Sequence, residues 1–333
     1  MELIFPGYYK EFSCIADACP DSCCKEWSVD VDPDAAAFYR QLTGPLGDRL
    51  REVLQDTVDG TIMTIENGRC PMWRQDGLCR IQAELGHDAL CKTCREFPRL
   101  RHDYGDFVEL GLELSCPEAA RLILTASNYG FVCRNVPGGD APEYDTDAMD
   151  TLRRTRSAFL EFLDTTALPF PQVLAVLLLY AYEAQEELDG GVRAVLDPQG
   201  CLADAMQFAG DCDPNALKEF FSGLEILTVQ WEERLSANAV TPQWGDRYKA
   251  LLRYFICRYW LQAVSDYDIV CRAKLAVSAC LLIGFLGGEL TETAQLFSKE
   301  IENDPDNVES ILDGAYTAQA LTDAHLLGLL LKD

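Results

Sequence analysis

The chain has 333 residues, with 28 basic against 54 acidic side chains and a net charge of −26. Hydrophobic residues make up 48% and charged residues 25%, a globular composition that excludes a mainly disordered or low-complexity chain. A surface this acidic repels phosphate backbones and anionic bilayers, so it argues against nucleic-acid binding and membrane insertion and favours basic partners.

In chain order, Met1–Gly7 lacks the basic start and long apolar run of a secretory signal. Residues 1–33 read as irregular and rich in Cys, Asp and Pro. Asp32-Pro33-Asp34 has the chemistry of a helix start, and a helical pattern runs through Ala35–Leu42 until Gly44-Pro45 breaks it. A second helical pattern covers Asp48–Asp56. Thr61–Ile65 reads as a strand entering the turn Asn67-Gly68, and Asp76-Gly77 marks a further turn beside Cys70 and Cys79. Short helical turns are expected at Ile81–Leu85 and Ala89–Arg95, a strand within Phe107–Ser115, and a helix over Pro117–Ser127 with proline in its first turn. The Gly- and Pro-rich stretch Asn128–Asp147 reads as loop.

Beyond it the apolar residues recur at helical spacing. Helices are expected at Ala148–Leu163, Phe170–Leu188, Pro198–Ala209, Pro214–Arg234, Trp244–Val264, Asp268–Leu286, Thr291–Glu302, Val308–Ala315 and Ala318–Leu331. The longest apolar run, Leu275–Leu286, is too short to span a bilayer and reads as a buried core helix. The expected fold is therefore mainly α. An N-terminal Cys-rich α+β module (1–130) is followed by a linker (131–147) and an all-helical domain (148–333). With no targeting signal in view, a cytoplasmic setting is expected, where thiols stay reduced.

The cysteines are the strongest feature. Nine of the 15 lie between Cys14 and Cys116. The first group is Cys14-x4-Cys19-x3-Cys23-Cys24; the second is Cys70-x8-Cys79-x11-Cys91-x2-Cys94, with Cys116 following. Clustered thiols in a reducing compartment are metal ligands or redox groups more often than disulfides, and short loops bring such sulfurs to one point. Only Cys91–Cys94 has zinc-knuckle spacing; the irregular remainder leans towards iron–sulfur. One site drawing on both groups and two separate sites both remain open. Adjacent Cys23 and Cys24 point in different directions on an extended chain and can serve different sites. The one locally basic stretch, Arg69–Arg101, coincides with the second group and would suit an anionic thiolate cluster.

Several blocks resemble a known family in order. They are Tyr8-Tyr9-Lys10-Glu11-Phe12-x-Cys14, Asp21-x-Cys23-Cys24-x-x-Trp27, Cys70-Pro71-Met72-x4-Gly77-Leu78-Cys79-Arg80-Ile81-Gln82, Leu90-Cys91-x2-Cys94-Arg95-x-Phe97-Pro98-Arg99 and Leu114-Ser115-Cys116-Pro117-Glu118. Together they resemble the flagellin lysine N-methylase (FliB-like) family, with a wider relation to YkgJ-type cysteine-cluster proteins. Weaker likenesses are Arg253-Tyr254-x5-Trp260 and Glu300-Ile301-Glu302. The resemblance implies an iron–sulfur cluster, [4Fe–4S] in type, and methyl transfer from S-adenosylmethionine to lysines of flagellin or another lysine-bearing protein. The alternatives are a zinc- or cluster-stapled binding module without catalysis, and an electron-transfer or redox cluster protein.

No Gly-rich loop follows a strand, and Gly284–Gly288 reads as a helix stop. The radical-enzyme pattern Cys-x3-Cys-x2-Cys begins at Cys19 and Cys23 but has Glu26 in third place. No residue can therefore be assigned to the methyl donor. Tyr8, Tyr9, Phe12 and Trp27 can wall a methylammonium or simply form core beneath the cysteines. Asp17, Glu26 and Glu118 are nearby proton acceptors, none of them preferred. His87 and His102 bracket Cys91–Cys94 as possible ligands, with surface histidine the plainer reading. Cys201, Cys212, Cys257, Cys271 and Cys280 read as buried core thiols; Cys133 is open.

Overall fold

The computed structural model describes residues 1–25 and 27–332. Glu26, considered above as a proton acceptor, lies outside the described residues. The chain is mainly α, with two small sheets in its first 135 residues.

Among the described residues there are seven strands: β1 (Glu2–Pro6), β2 (Val29–Val31), β3 (Leu54–Asp56), β4 (Thr61–Met63), β5 (Arg99–Asp103), β6 (Phe107–Leu112) and β7 (Phe131–Asn135). One sheet has the order β5-β6-β1-β7, with β1 parallel to β6 and antiparallel to β7. The other has the order β2-β4-β3 and is antiparallel throughout. The stretch read as irregular thus holds β1 and β2, and the expected linker opens with β7. Leu3-Ile4-Phe5 and Phe131-Val132 are β-prone. What they lack is local: a strand this short is recognisable only through partners more than a hundred residues away. The second helical pattern, expected to Asp56, ends at Val53 and passes into β3.

Local chemistry explains most of the remainder. Asp32 accepts from Ala35 N–H and caps the helix Pro33–Gln41. Asn67 and Gly68 have φ of 51° and 73°, and Glu66 and Arg69 exchange both backbone hydrogen bonds around them. That is the left-handed two-residue turn an Asn-Gly pair selects. Proline stands in the first turn of the helices Pro117–Thr125, Pro198–Phe208, Pro214–Ser222 and Pro305–Thr317. The helix expected over Pro214–Arg234 divides into Pro214–Ser222 and Val229–Ser236, because the first ends at Gly223 and Thr228 caps the second.

Two hydrophobic cores form. The larger takes in the helical part and reaches back to Tyr8, Phe12, Phe107, Leu112, Leu114 and the helix Pro117–Thr125. The four-stranded sheet is therefore packed onto the helices. The smaller core joins Val29, Tyr39, Leu50, Met63, Met72, Ile81 and Leu90 with Cys70 and Cys91. At the centre of the larger core lies Val270–Leu286, buried along almost its whole length. The apolar run is thus a core helix, and among the described residues no helix is long and apolar enough to cross a membrane. Gly284 lies inside this helix, not at its stop: a Cβ there would come within 2.6 Å of the Trp244 ring.

Candidate functional site

The smaller core and the four-stranded sheet bring the nine N-terminal cysteines into two neighbouring sets, joined where Cys23 lies close to both Cys116 and Cys94. Cys14, Cys19, Cys23 and Cys116 form one set. Cys24, Cys70, Cys79, Cys91 and Cys94 form the other. The first set adds Cys116 to three thiols of the first sequence group, the second joins Cys24 to the whole of the second group, and the sets meet at the Cys23-Cys24 dipeptide. Cys23 and Cys24 share a hydrogen bond, as do Cys91 and Cys94. These bonds draw Cys24 and Cys91 below the ordinary thiol range and push Cys23 and Cys94 above it. Burial pushes Cys70 up to about 12 and Cys116 up to about 11.

All these cysteines are free thiols, and among the described residues no three Cys, His, Asp or Glu side chains stand in the arrangement that holds a metal ion. In its donor chemistry the set nonetheless suits a thiolate-bound group: many soft ligands lie on separate loops, with a thiol of lowered pKa in the second set at Cys24 and again at Cys91.

A cleft of about 210 Å³ opens beside Cys23, between the cysteine loop and the C-terminal helices. One wall carries Trp27 and Phe97, with ring centroids 5.9 Å apart. Trp27 is held by its indole N–H, which donates to Cys23 O at 2.7 Å. The opposite wall carries Glu225, Leu227, Lys299, Glu300 and Asp304. Lys299 and Glu300 lie on a π-helical turn, Ser298–Glu302, that follows the helix Leu290–Phe297. Such turns re-aim side chains and recur at functional sites.

Asp21 joins the two walls. It pairs with Lys25 at 2.5 Å and Lys299 at 3.4 Å, and accepts from Gln295 Nε2 at 2.8 Å. The Gln295 amide also donates to Ser115 O at 2.8 Å, beside Cys116. Burial opposes ionisation of Asp21, but these cations and the amide outweigh it and hold its carboxyl below the usual range. Glu300 accepts from Leu227 N–H and the Thr228 hydroxyl, and burial holds it above the usual carboxylate range.

Behind the cleft lies a buried charged network. Glu302 accepts from the Tyr254 and Tyr259 hydroxyls, each at 2.9 Å, and pairs with Arg258. Glu109 and Arg156 form a two-pronged buried pair. His102 on β5 sits opposite Glu109, and burial and neighbouring arginines lower its pKa.

A search of curated proteins places the chain. It is 34% identical over 132 residues to the flagellar biosynthetic protein FliU of Salmonella muenchen, a match covering 36% of this chain and 75% of the relative. The chain belongs to the flagellin lysine N-methylase family. The lysine-N-methylases of Salmonella typhimurium and Salmonella choleraesuis are likewise 34% identical over 132 residues. The match spans 31% of the length of each. No protein-family profile and no solved structure matches the chain.

Against the motifs of this family, the structure sorts the residues named from sequence. Tyr8 and Phe12 go to the large core, Tyr9 packs at its edge, and Trp27 alone lines the cleft. Asp17 is exposed, and Glu118 is paired with Arg121. His87 is exposed beside Asp88, and His102 has Glu109 and arginines for neighbours, not thiols. Arg74, Arg80 and Arg101 pair with carboxylates, while Arg69 and Arg99 lie over Trp73 and Phe12.

Cys201, Cys271 and Cys280 are buried as expected; Cys257 is half-buried and Cys133 exposed. Cys212 is exposed, contrary to expectation, because the helix before it ends at Phe208 and leaves it in a loop. Sequence reasoning missed Gln295, Lys299 and Glu225. The one available signal was Glu300-Ile301-Glu302, whose two acids both turn inward only because the helix widens there.

Proposed function

We propose that the chain is a protein-lysine N-methyltransferase acting on flagellin or a similar lysine-bearing protein, using S-adenosylmethionine and a [4Fe–4S]-type cluster. The observation that carries the reading is the cleft beside Cys23, with an aromatic wall on one side and carboxylates on the other, in a chain akin to lysine-N-methylases. A lysine side chain has a methylene stem and a cationic tip. Trp27 and Phe97 suit the stem and a growing methylammonium, and Glu225 and Asp304 suit the cation.

The amine must lose a proton before it can act as a nucleophile. Glu300 faces the cleft with a raised pKa, the direction that makes a carboxylate a better base near neutrality. Asp21 and Gln295 tie the cysteine loop to the π-helical turn and so hold the two walls in register. The residues to hold a cluster are the nine cysteines Cys14, Cys19, Cys23, Cys24, Cys70, Cys79, Cys91, Cys94 and Cys116. When bound, such a group supplies cross-links between their loops and one-electron chemistry.

The test is anaerobic purification with iron, sulfide and zinc analysis, followed by methyl transfer to flagellin. Bound iron and sulfide, with transfer lost in a folded Cys23→Ala variant, support the reading. Stoichiometric zinc without iron, together with flagellin left unmodified, overturns it in favour of a metal-stapled binding module.

A further inference from the structure

An apolar groove of about 520 Å³, sharing no lining residue with the cleft, runs between the helices Phe170–Leu188, Pro198–Phe208 and Asp323–Leu331. Leu178 and Leu327 form its buried floor, while Tyr182 and Phe208 stand at its rim, 39% and 60% exposed. On the same helix as Phe208, Met206 is 64% exposed. Large apolar side chains gathered at one concave face mark an interaction site more often than chance exposure does.

The groove's helices carry more acid than base. Residues 170–208, which supply two of the three, hold six acidic side chains and a single basic one, Arg193; Glu187 pairs with Arg154, and Asp323 on the third helix pairs with Lys274. Each rim aromatic has an acid one helical turn away: Glu186 follows Tyr182 and Asp204 precedes Phe208, both on the exposed surface. An aromatic edge with a carboxylate one turn along offers a lysine both a surface for its stem and a partner for its ammonium.

We propose that this groove docks an amphipathic, Lys/Arg-bearing α-helix of the protein substrate, as a site distinct from the cleft where the target lysine reacts. Three helices already enclose the groove, and a fourth can lay an apolar stripe at i, i+3, i+4 spacing between them. A second copy of this chain would bring its own acidic patch into like-charge contact, and an anionic bilayer or nucleic acid would be repelled in the same way. The partner's role as substrate rests on the methyltransferase reading; the binding of a basic helix does not.

The test measures fluorescence anisotropy of a labelled synthetic helix, leucine on one face and lysine on the other, titrated with the whole chain. Binding that weakens about tenfold or more in Phe208→Glu, and also weakens with added salt, supports the proposal. Absence of binding, binding unchanged in Phe208→Glu, or equal binding of a helix with glutamate in place of lysine overturns it. So does self-association of the wild type that Phe208→Glu abolishes, which would make a second copy the occupant. Phe208 is exposed, so the variant keeps its fold, and circular dichroism checks this. With methyl transfer as readout, Phe208→Glu raises KM for a whole protein substrate and leaves that for a short lysine peptide unchanged; equal KM values for both refute docking of the substrate. Helix binding without methyl transfer to any lysine overturns the methyltransferase reading alone.

Discussion

Replacing Glu302 by alanine tests the buried network behind the cleft. The side chain is 1% exposed and satisfies two tyrosine hydroxyls and one arginine at once. Removing one partner of a buried ion pair costs about 3–5 kcal/mol, because the other charge stays buried and uncompensated. Each stranded hydroxyl adds about 1 kcal/mol or more, and since the three share one site these terms do not add in full. A loss of about 4–5 kcal/mol is therefore expected for Glu302→Ala. Glu302→Gln keeps an acceptor oxygen for one tyrosine and should lose roughly half as much. Urea unfolding followed by fluorescence reads both as shifts in midpoint, and a double-mutant cycle with Arg258→Met isolates the pairwise part. A loss below about 1 kcal/mol in Glu302→Ala, or no coupling to Arg258, would refute the assignment of Glu302 as the buried partner shared by Tyr254, Arg258 and Tyr259.

Three further outcomes follow from named contacts. Asp21→Ala removes the link between the cysteine loop and the π-helical turn, so amide hydrogen exchange should quicken across residues 14–24 while the core helix Val270–Leu286 stays protected; equal protection in both proteins would contradict the link. Gly284→Ala drives a methyl group against Trp244 and should destabilise by about 1–3 kcal/mol, read as a lower thermal midpoint. In the reduced, metal-free chain the bond to Cys23 draws the half-buried Cys24 thiol below the ordinary thiol range, whereas Cys70 is buried and burial pushes its thiol up. Iodoacetamide at neutral pH should therefore label Cys24 before Cys70, and labelling in the opposite order would contradict the pairing.

Helices were legible wherever apolar spacing agreed with caps or breakers: Phe170–Leu188, bounded by prolines at its start and Gly190-Gly191 at its end, was read to the residue, and Asp32 and Asn67-Gly68 carried their own turn chemistry. The four-stranded sheet was not, because β1 and β7 find their partners across more than a hundred residues and no local period announces them. The cysteines stood out by count, yet spacing could not show that Cys23 and Cys24, read as pointing in different directions, share a hydrogen bond and so join the first thiols to those around Cys94. The far wall of the cleft was invisible for a similar reason. Gln295, Lys299 and Glu300 read as an ordinary helix face, and only the widened turn at Ser298–Glu302 carries Lys299 to the cleft.

The most direct test of the central claim is mass spectrometry of flagellin incubated anaerobically with the purified chain and methyl-deuterated S-adenosylmethionine. Lysine side chains carrying the mass increment of a deuterated methyl group, absent with Cys23→Ala and reduced with Glu300→Gln, are the predicted result. Unmodified lysines with a cluster-loaded wild-type chain would contradict the account.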